Sequence, residues 1–174
     1  MIDDLTLHTG QYAVLIAGIA LFAFAALHDI AARTIPNTAS IGIALLGLLL
    51  RAVDGQTLPA IGLSAMVFGI CTVCWLRGWM GGGDVKLLTA AALFVPPGSV
   101  MMMVGATTLF GGAIAVFYLL ARTVALRVRL RARPAPGALI ARVLRAEHWR
   151  LLRGAPLPYG SAIAAGTLFT LYPG

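Results

Sequence analysis

The chain has 174 residues, of which 60% are hydrophobic and 11% are charged, and its mean hydropathy is +0.92. Soluble domains have about 45–50% apolar and about 25% charged residues, so this composition excludes an ordinary soluble domain and indicates a membrane protein. The formal net charge of +7 does not indicate a nucleic-acid partner, because nine of the 13 basic residues are arginines between Arg122 and Arg153. In a membrane protein such a segment first indicates topology.

Apolar runs between helix breakers predict an all-α polytopic fold with about six transmembrane helices. The spans are expected at about 11 to 28, 38 to 53, 58 to 77, 85 to 95, 99 to 121 and 157 to 172. A bilayer core admits only helices or closed barrels, and these runs lack the alternation of barrel strands. We therefore expect residues 1–174 to form a single domain with a basic loop at about 122–156.

The first span follows Asp3 and Asp4 instead of basic residues, so we expect it to remain as a helix and not to be removed as a signal peptide. It ends at Asp29, an ionisable group that is costly beside an apolar run and is by default a functional candidate. Two interpretations stay open from spacing alone. Asp29 pairs with Arg33 one turn later, or it is half of a catalytic carboxylate pair.

The third span contains Cys71 and Cys74, which we interpret as packing residues because no second cysteine pair or histidine cluster completes a zinc site. Asp84 follows three consecutive glycines and directly precedes the fourth span. It is either the N-cap of that helix or a second catalytic carboxylate. Three glycines favour a place where the chain turns sharply or is approached closely by another backbone, such as an extended substrate.

The arginine-rich loop sets the predicted topology, because basic residues concentrate in cytoplasmic loops. Counting spans backwards from it places both termini outside the cytoplasm and puts Asp29 and Asp84 at cytoplasmic helix ends. Among the basic residues near the span ends, only Arg51 lies toward the side that this topology places outside the cytoplasm. The loop itself is expected to contain a short amphipathic helix at the lipid surface. The remaining acids, Asp54 and Glu147, are interpreted as a turn residue and a partner of the surrounding arginines.

Three motifs then resemble one family. The run GGGDVKLL at residues 81–88 resembles the GxGD motif of aspartic intramembrane and prepilin peptidases. The run DIAARTIPN at residues 29–37 resembles the first catalytic-aspartate region of type IV prepilin peptidases, and PLPYGSAIAAG at residues 156–166 resembles their C-terminal Pro-Tyr-Gly segment. Presenilin-like proteases fit less well, since they carry a Tyr-Asp pair where this chain has His28 before Asp29.

The resemblance implies an aspartic endopeptidase of the bacterial inner membrane that removes the basic leader of a prepilin or pseudopilin at the cytoplasmic face. Asp29 and Asp84 would activate water, and neither a cofactor nor a metal is expected. Membrane lipids are the other expected partner. The candidates for substrate binding or support of the pair are Gly81, Gly82, Gly83, Arg33, Lys86, Pro36, Asn37, Pro158, Tyr159 and Gly160.

Two details of these assignments stay open. Arg33 and Lys86 are either interfacial anchors or ligands of an acidic residue just after the cleavage site. Asp84 lies at the amino end of a helix and Asp29 near a carboxyl end, so the helix dipoles predict that Asp29 holds the shared proton.

The chain also departs from the larger members of the resembled family. They carry a four-cysteine zinc segment between the first two spans and methylate the new N-terminus, whereas this chain has only residues 29–37 there and no such cysteines. That difference favours the short, peptidase-only form associated with Flp/Tad-type pili. The alternatives are an archaeal preflagellin peptidase, a non-enzymatic scaffold or a transporter. The transporter is disfavoured because no further ionisable residues continue from the two aspartates across the bilayer.

Overall fold

A computed structural model of the chain describes the backbone of residues 2–128 and 157–171, and the side chains of residues 9–123 and 157–171. The described residues form six α-helices and no strand, which confirms the all-α prediction. The helices are α1 (Ile2–Ala32), α2 (Asn37–Val53), α3 (Thr57–Leu76), α4 (Gly82–Phe94), α5 (Val100–Val128) and α6 (Tyr159–Leu171), with a 3₁₀ turn at Pro97–Ser99. The predicted amphipathic helix and most of the basic loop lie outside the described residues.

The described helices end at the breakers that the sequence contains. Gly55 and Gly78 follow α2 and α3 with φ of 68° and 73°, a left-handed conformation that glycine adopts without steric cost. Three segments are long and apolar enough to cross a bilayer, namely Thr9–Ala32, Thr57–Leu76 and Pro97–Thr123. Asn37–Val53 and Tyr159–Leu171 are shorter apolar helices. The chain is therefore a helical membrane protein.

Helix α4 forms the centre of the structure although it is short. Its 13 residues extend about 20 Å, less than the roughly 30 Å of a hydrocarbon core. It packs against α2, α3 and α6. Seven of its residues are buried: Val85, Leu87, Leu88, Ala90, Ala91, Ala92 and Phe94. Asp84, in the first turn of α4, therefore lies close to the helices that enclose α4.

Small residues allow the neighbouring helices to approach the far end of α4. A Cβ atom on Gly47 of α2 would lie 2.7 Å from the Cα of Phe94, so the two backbones are in direct contact there. On α1, Gly18 leaves space for the Phe94 ring, which also meets Phe22 edge-on at a centroid distance of 5.6 Å. These contacts hold α1 and α2 against the central helix.

The chain divides into two compact units, Met1–Phe110 with Pro158–Gly174, and Gly111–Leu157. In the first unit, Gly166 of α6 packs directly on the backbone of Thr107 in α5, where an added Cβ would lie 2.6 Å from the Thr107 nitrogen. The described part of the second unit is the remainder of α5, in which large apolar side chains such as Phe117 are exposed. The single-domain assignment stays a prediction.

Candidate active site

Asp29 lies in the last full turn of α1 and is only 6% exposed. Its Oδ2 atom accepts a hydrogen bond of 2.9 Å from the backbone N–H of Gly160, 131 positions later in the chain. Gly160 is the second residue of α6, where backbone N–H groups have no partner within the helix. The Asp29 carboxylate therefore caps α6 from a different helix.

Asp84 is the third residue of α4, whose N-cap is Gly81. The Asp84 carboxylate accepts a hydrogen bond from the backbone N–H of Gly81. An acidic side chain that reaches back from the third helical position to the N-cap amide is half of a capping box. The prediction that Asp84 itself is the N-cap is thus wrong by three positions, although its carboxylate does satisfy that helix end.

The two carboxylates interact with each other. Asp84 lies just ahead of the predicted span 85–95, and burial together with the charge of Asp29 raises its pKa to about 6, partly offset by the Gly81 hydrogen bond. A neighbouring negative charge and desolvation both disfavour an ionised carboxyl group. Tyr159, at the start of α6, is within electrostatic range of Asp84. Helices α1, α4 and α6 therefore place the two acids within electrostatic range of each other.

The amino end of α6 lies beside Asp29. The dipole argument from sequence considered α1 and α4 only, and it put the proton on Asp29. In the structure, the positive end of α6 and the Gly160 N–H both face Asp29. The helix dipoles therefore do not by themselves select Asp29 as the proton holder, and the position of the proton stays a prediction.

The α1–α2 connector packs around the end of α1 that carries Asp29. Arg33 has a φ of 57° and donates its backbone N–H to the Asp29 carbonyl at 2.8 Å. The His28 ring donates from Nδ1 to the carbonyl of Thr34 at 2.7 Å. Ile35 is the only aliphatic side chain between Arg33 and Asn37. The sequence analysis did not select Ile35, although an apolar residue in a polar connector was a signal that could have identified it.

Ile35 fills the space between α4 and α6. A Cβ atom on Gly83 would lie 3.3 Å from the Cβ of Ile35, and a Cβ on Gly160 would lie 3.1 Å from its Cδ1. The same Cβ on Gly160 would lie 3.0 Å from the Oδ2 of Asp29. The two glycines therefore leave room for an apolar side chain directly beside the carboxylate pair.

The triple glycine does not make the sharp turn that was one of its predicted roles. Gly81 is extended, with φ of −75° and ψ of 143°, and the left-handed turn lies at Gly78. Close approach is instead made by side chains. A Cβ on Gly82 would lie 3.3 Å from the indole Nε1 of Trp75, and Ile35 packs against Gly83.

The other predicted residues lie either directly before a helix or in a contact between α2 and α4. Pro158 is buried immediately before α6, and its carbonyl accepts a hydrogen bond of 2.6 Å from the Ser161 hydroxyl. Pro36 is the extended N-cap of α2. Lys86 donates from Nζ to the Oδ1 of Asn37 at 3.0 Å. Because successive helical residues are about 100° apart, Lys86 projects about 200° away from Asp84 around α4, and so it lies on the opposite side of that helix.

Comparison with known proteins adds one finding. The model of the type IV leader peptidase family matches residues 16–116, which is more than half of the chain. The matched segment contains both aspartates but ends before Gly160. No curated protein and no solved structure gives a significant match.

Proposed function

Because the chain belongs to the type IV leader peptidase family, we propose that it is an aspartic endopeptidase with Asp29 and Asp84 as its catalytic pair. The observation that carries this proposal is the interaction between the two carboxylates, which come from different helices. A residue that only capped α4 would have no need of a buried carboxylate from α1 beside it. Burying Asp29 within electrostatic range of a second acid is also costly for stability, which favours a functional reason for the pair.

The proposed mechanism gives each carboxyl group one role. Asp29 is the base that takes a proton from water as the water oxygen attacks the scissile carbonyl carbon. Asp84 donates its proton to the carbonyl oxygen, which gives a tetrahedral intermediate. As the C–N bond breaks, the proton received by Asp29 passes to the leaving amine and one hydroxyl proton of the intermediate returns to Asp84. This assignment rests on the Gly160 hydrogen bond to Asp29 and on the raised pKa of Asp84.

The proposed substrate is an Flp-like prepilin whose basic leader lies in the cytoplasm and whose apolar helix enters the bacterial inner membrane. Both aspartates lie at helix ends that the predicted topology assigns to the cytoplasmic face, where leader and helix meet. The α1–α2 connector consists only of residues between Ala32 and Asn37. It holds none of the cysteines of the larger enzymes, so we propose cleavage without N-methylation, which mass spectrometry of the new pilin N-terminus tests.

Arg33 is the proposed contact for an acidic residue just after the cleavage site, because it directly follows α1 beside Asp29. Arg33→Ala should lower cleavage of the native prepilin more than cleavage of a prepilin whose early acidic residue is replaced. Equal losses for the two substrates would instead assign Arg33 to the membrane interface.

Co-expression with an Flp-type prepilin tests the catalytic pair, with leader removal followed by gel shift. Asp29→Asn and Asp84→Asn should each reduce cleavage by about 10²- to 10⁴-fold, the usual contribution of general acid–base catalysis. Asp4→Asn, near the opposite end of α1, is the matched control and should cleave normally. Wild-type cleavage by either dyad variant at equal membrane levels would favour the scaffold alternative.

A further inference from the structure

A groove of about 410 Å³ lies on the side of α4 away from the carboxylate pair. Helices α2 and α3 both pack on α4 but make few contacts with each other, so a gap stays open between them with α4 as its floor. Neither Asp29 nor Asp84 lines the groove. Its apolar lining includes Ile41, Ala44, Phe68, Ala90 and Leu93.

One end of the groove is cationic. Lys86 is the only charged residue that lines it, and no acidic side chain does. The Nζ atom of Lys86 is held over that end by Asn37, its only hydrogen-bond partner among the described residues. An ammonium group has three N–H donors, so two are available to an anion. The groove thus combines an apolar floor with a cation at the end predicted to face the cytoplasm.

The length and charge of the groove favour a lipid with an anionic headgroup. From Lys86 to Leu93 it extends about 10 Å along α4, most of the roughly 15 Å depth of one leaflet. An acyl chain fits along this length, and a phosphate at its end complements the charge of Lys86.

We propose that this groove is a binding site for one anionic phospholipid, with an acyl chain between α2 and α3 and the headgroup phosphate at Lys86. Basic pockets between transmembrane helices on the cytoplasmic side are known to bind anionic headgroups. The proposal develops the interfacial alternative for Lys86 and does not depend on peptidase activity. It therefore applies equally to the Asp84→Asn variant.

Photolabelling tests the site. The full-length protein is placed in phosphatidylcholine nanodiscs that contain a trace of phosphatidylglycerol with a diazirine in one acyl chain, and labelled peptides are mapped by mass spectrometry. We expect labelling around Ile41, Phe68 and Leu93 that unlabelled phosphatidylglycerol suppresses and added phosphatidylcholine does not. Lys86→Gln should weaken this competition about fivefold, the factor typical of one lysine near an anionic surface.

Two matched controls distinguish the groove from general lipid contact. Arg77→Gln removes an exposed cation whose guanidinium lies over the Trp79 ring outside the groove, and it should leave labelling unchanged. Ala44→Phe should fill the groove and abolish the label, whereas Leu45→Phe, at the exposed neighbouring position, should not. Uniform labelling of all outward faces, or an unchanged Lys86→Gln variant, would overturn the proposal. Displacement of the label by prepilin but not by phosphatidylglycerol would assign the groove to the substrate helix.

Discussion

A single methyl group added at Gly160 is expected to displace the Asp29 side chain. Gly160→Ala would put a Cβ 3.0 Å from Asp29 Oδ2 and 3.2 Å from Asp29 Cβ, closer than most real contacts. We expect peptidase activity to fall by about 10²-fold, since displacements of about 1 Å at a reacting group have effects of this size. Prepilin cleavage rates in nanodiscs, with protein levels equalised, measure it.

The matched control is Gly69→Ala in α3, where an added Cβ would meet no atom within 4 Å. It should retain wild-type activity. If Gly160→Ala cleaves as fast as Gly69→Ala, the hydrogen bond from α6 does not position Asp29, and the assignment of Asp29 as the base loses its main support.

The pKa of Asp84 determines the sign of the expected pH dependence. Because this pKa is raised to about 6, the proton that the proposed mechanism places on Asp84 is present below that pH and is lost as pH rises through it. Catalysis needs one protonated and one ionised carboxyl group, so kcat/KM should fall on the alkaline side. The pair titrates as a unit, so the measured limb is an apparent value. A cleavage rate that instead rises steadily from about pH 6 to pH 9 would contradict a shared proton.

Arg51 shows how tertiary contacts explain a residue that the topology rule left on the wrong side. It is 5% exposed, and its Nη1 lies 2.9 Å from Oδ2 of Asp54. The other Asp54 oxygen accepts a hydrogen bond of 3.2 Å from Gln11 of α1. The buried positive charge is therefore paired at the end of α2.

At the scale of elements, the contact between α2 and α4 is expected to limit stability. Gly47→Ala would force a Cβ to within 2.7 Å of the Phe94 backbone, which cannot move as a flexible side chain can. We expect it to lower the free energy of unfolding by about 1–3 kcal/mol, the usual effect of overpacking. Thermal unfolding in detergent should show a lower Tm. Gly62→Ala, with nothing near its added Cβ, is the control and should not shift the Tm.

At the scale of the whole molecule, the predicted orientation in the membrane is tested by the accessibility of residues in two connectors. Thr34 and Gln56 are both exposed and lie in successive connectors, before α2 and before α3. The predicted topology puts Thr34 in the cytoplasm and Gln56 outside it. In a variant with Cys71 and Cys74 replaced by serine, Gln56→Cys should react with an impermeant maleimide in intact spheroplasts, whereas Thr34→Cys should react only after permeabilisation.

The reverse labelling pattern would place the carboxylate pair at the outer face. In that case the peptidase would meet the wrong end of its proposed substrate, and the lipid groove would open toward the outer leaflet. The control is a double variant with neither new cysteine, which reports any labelling of residual thiols.

The sequence by itself determined the membrane class, the six helices near their observed positions and the two aspartates as candidates. Those properties depend on local features, because hydropathy, helix breakers and the rarity of acids are all readable within a few residues.

Only the tertiary structure decided what surrounds each of these groups. The hydrogen bond from Gly160 to Asp29 joins residues 131 positions apart, and no local pattern encodes that contact. It puts the positive end of α6 beside Asp29, which the dipole argument from sequence did not include. Likewise, Ile35 lies close to Asp29 because Gly83 of α4 and Gly160 of α6 leave room for its side chain. The packing of the helices determines which groups share an environment, and that environment sets their chemistry.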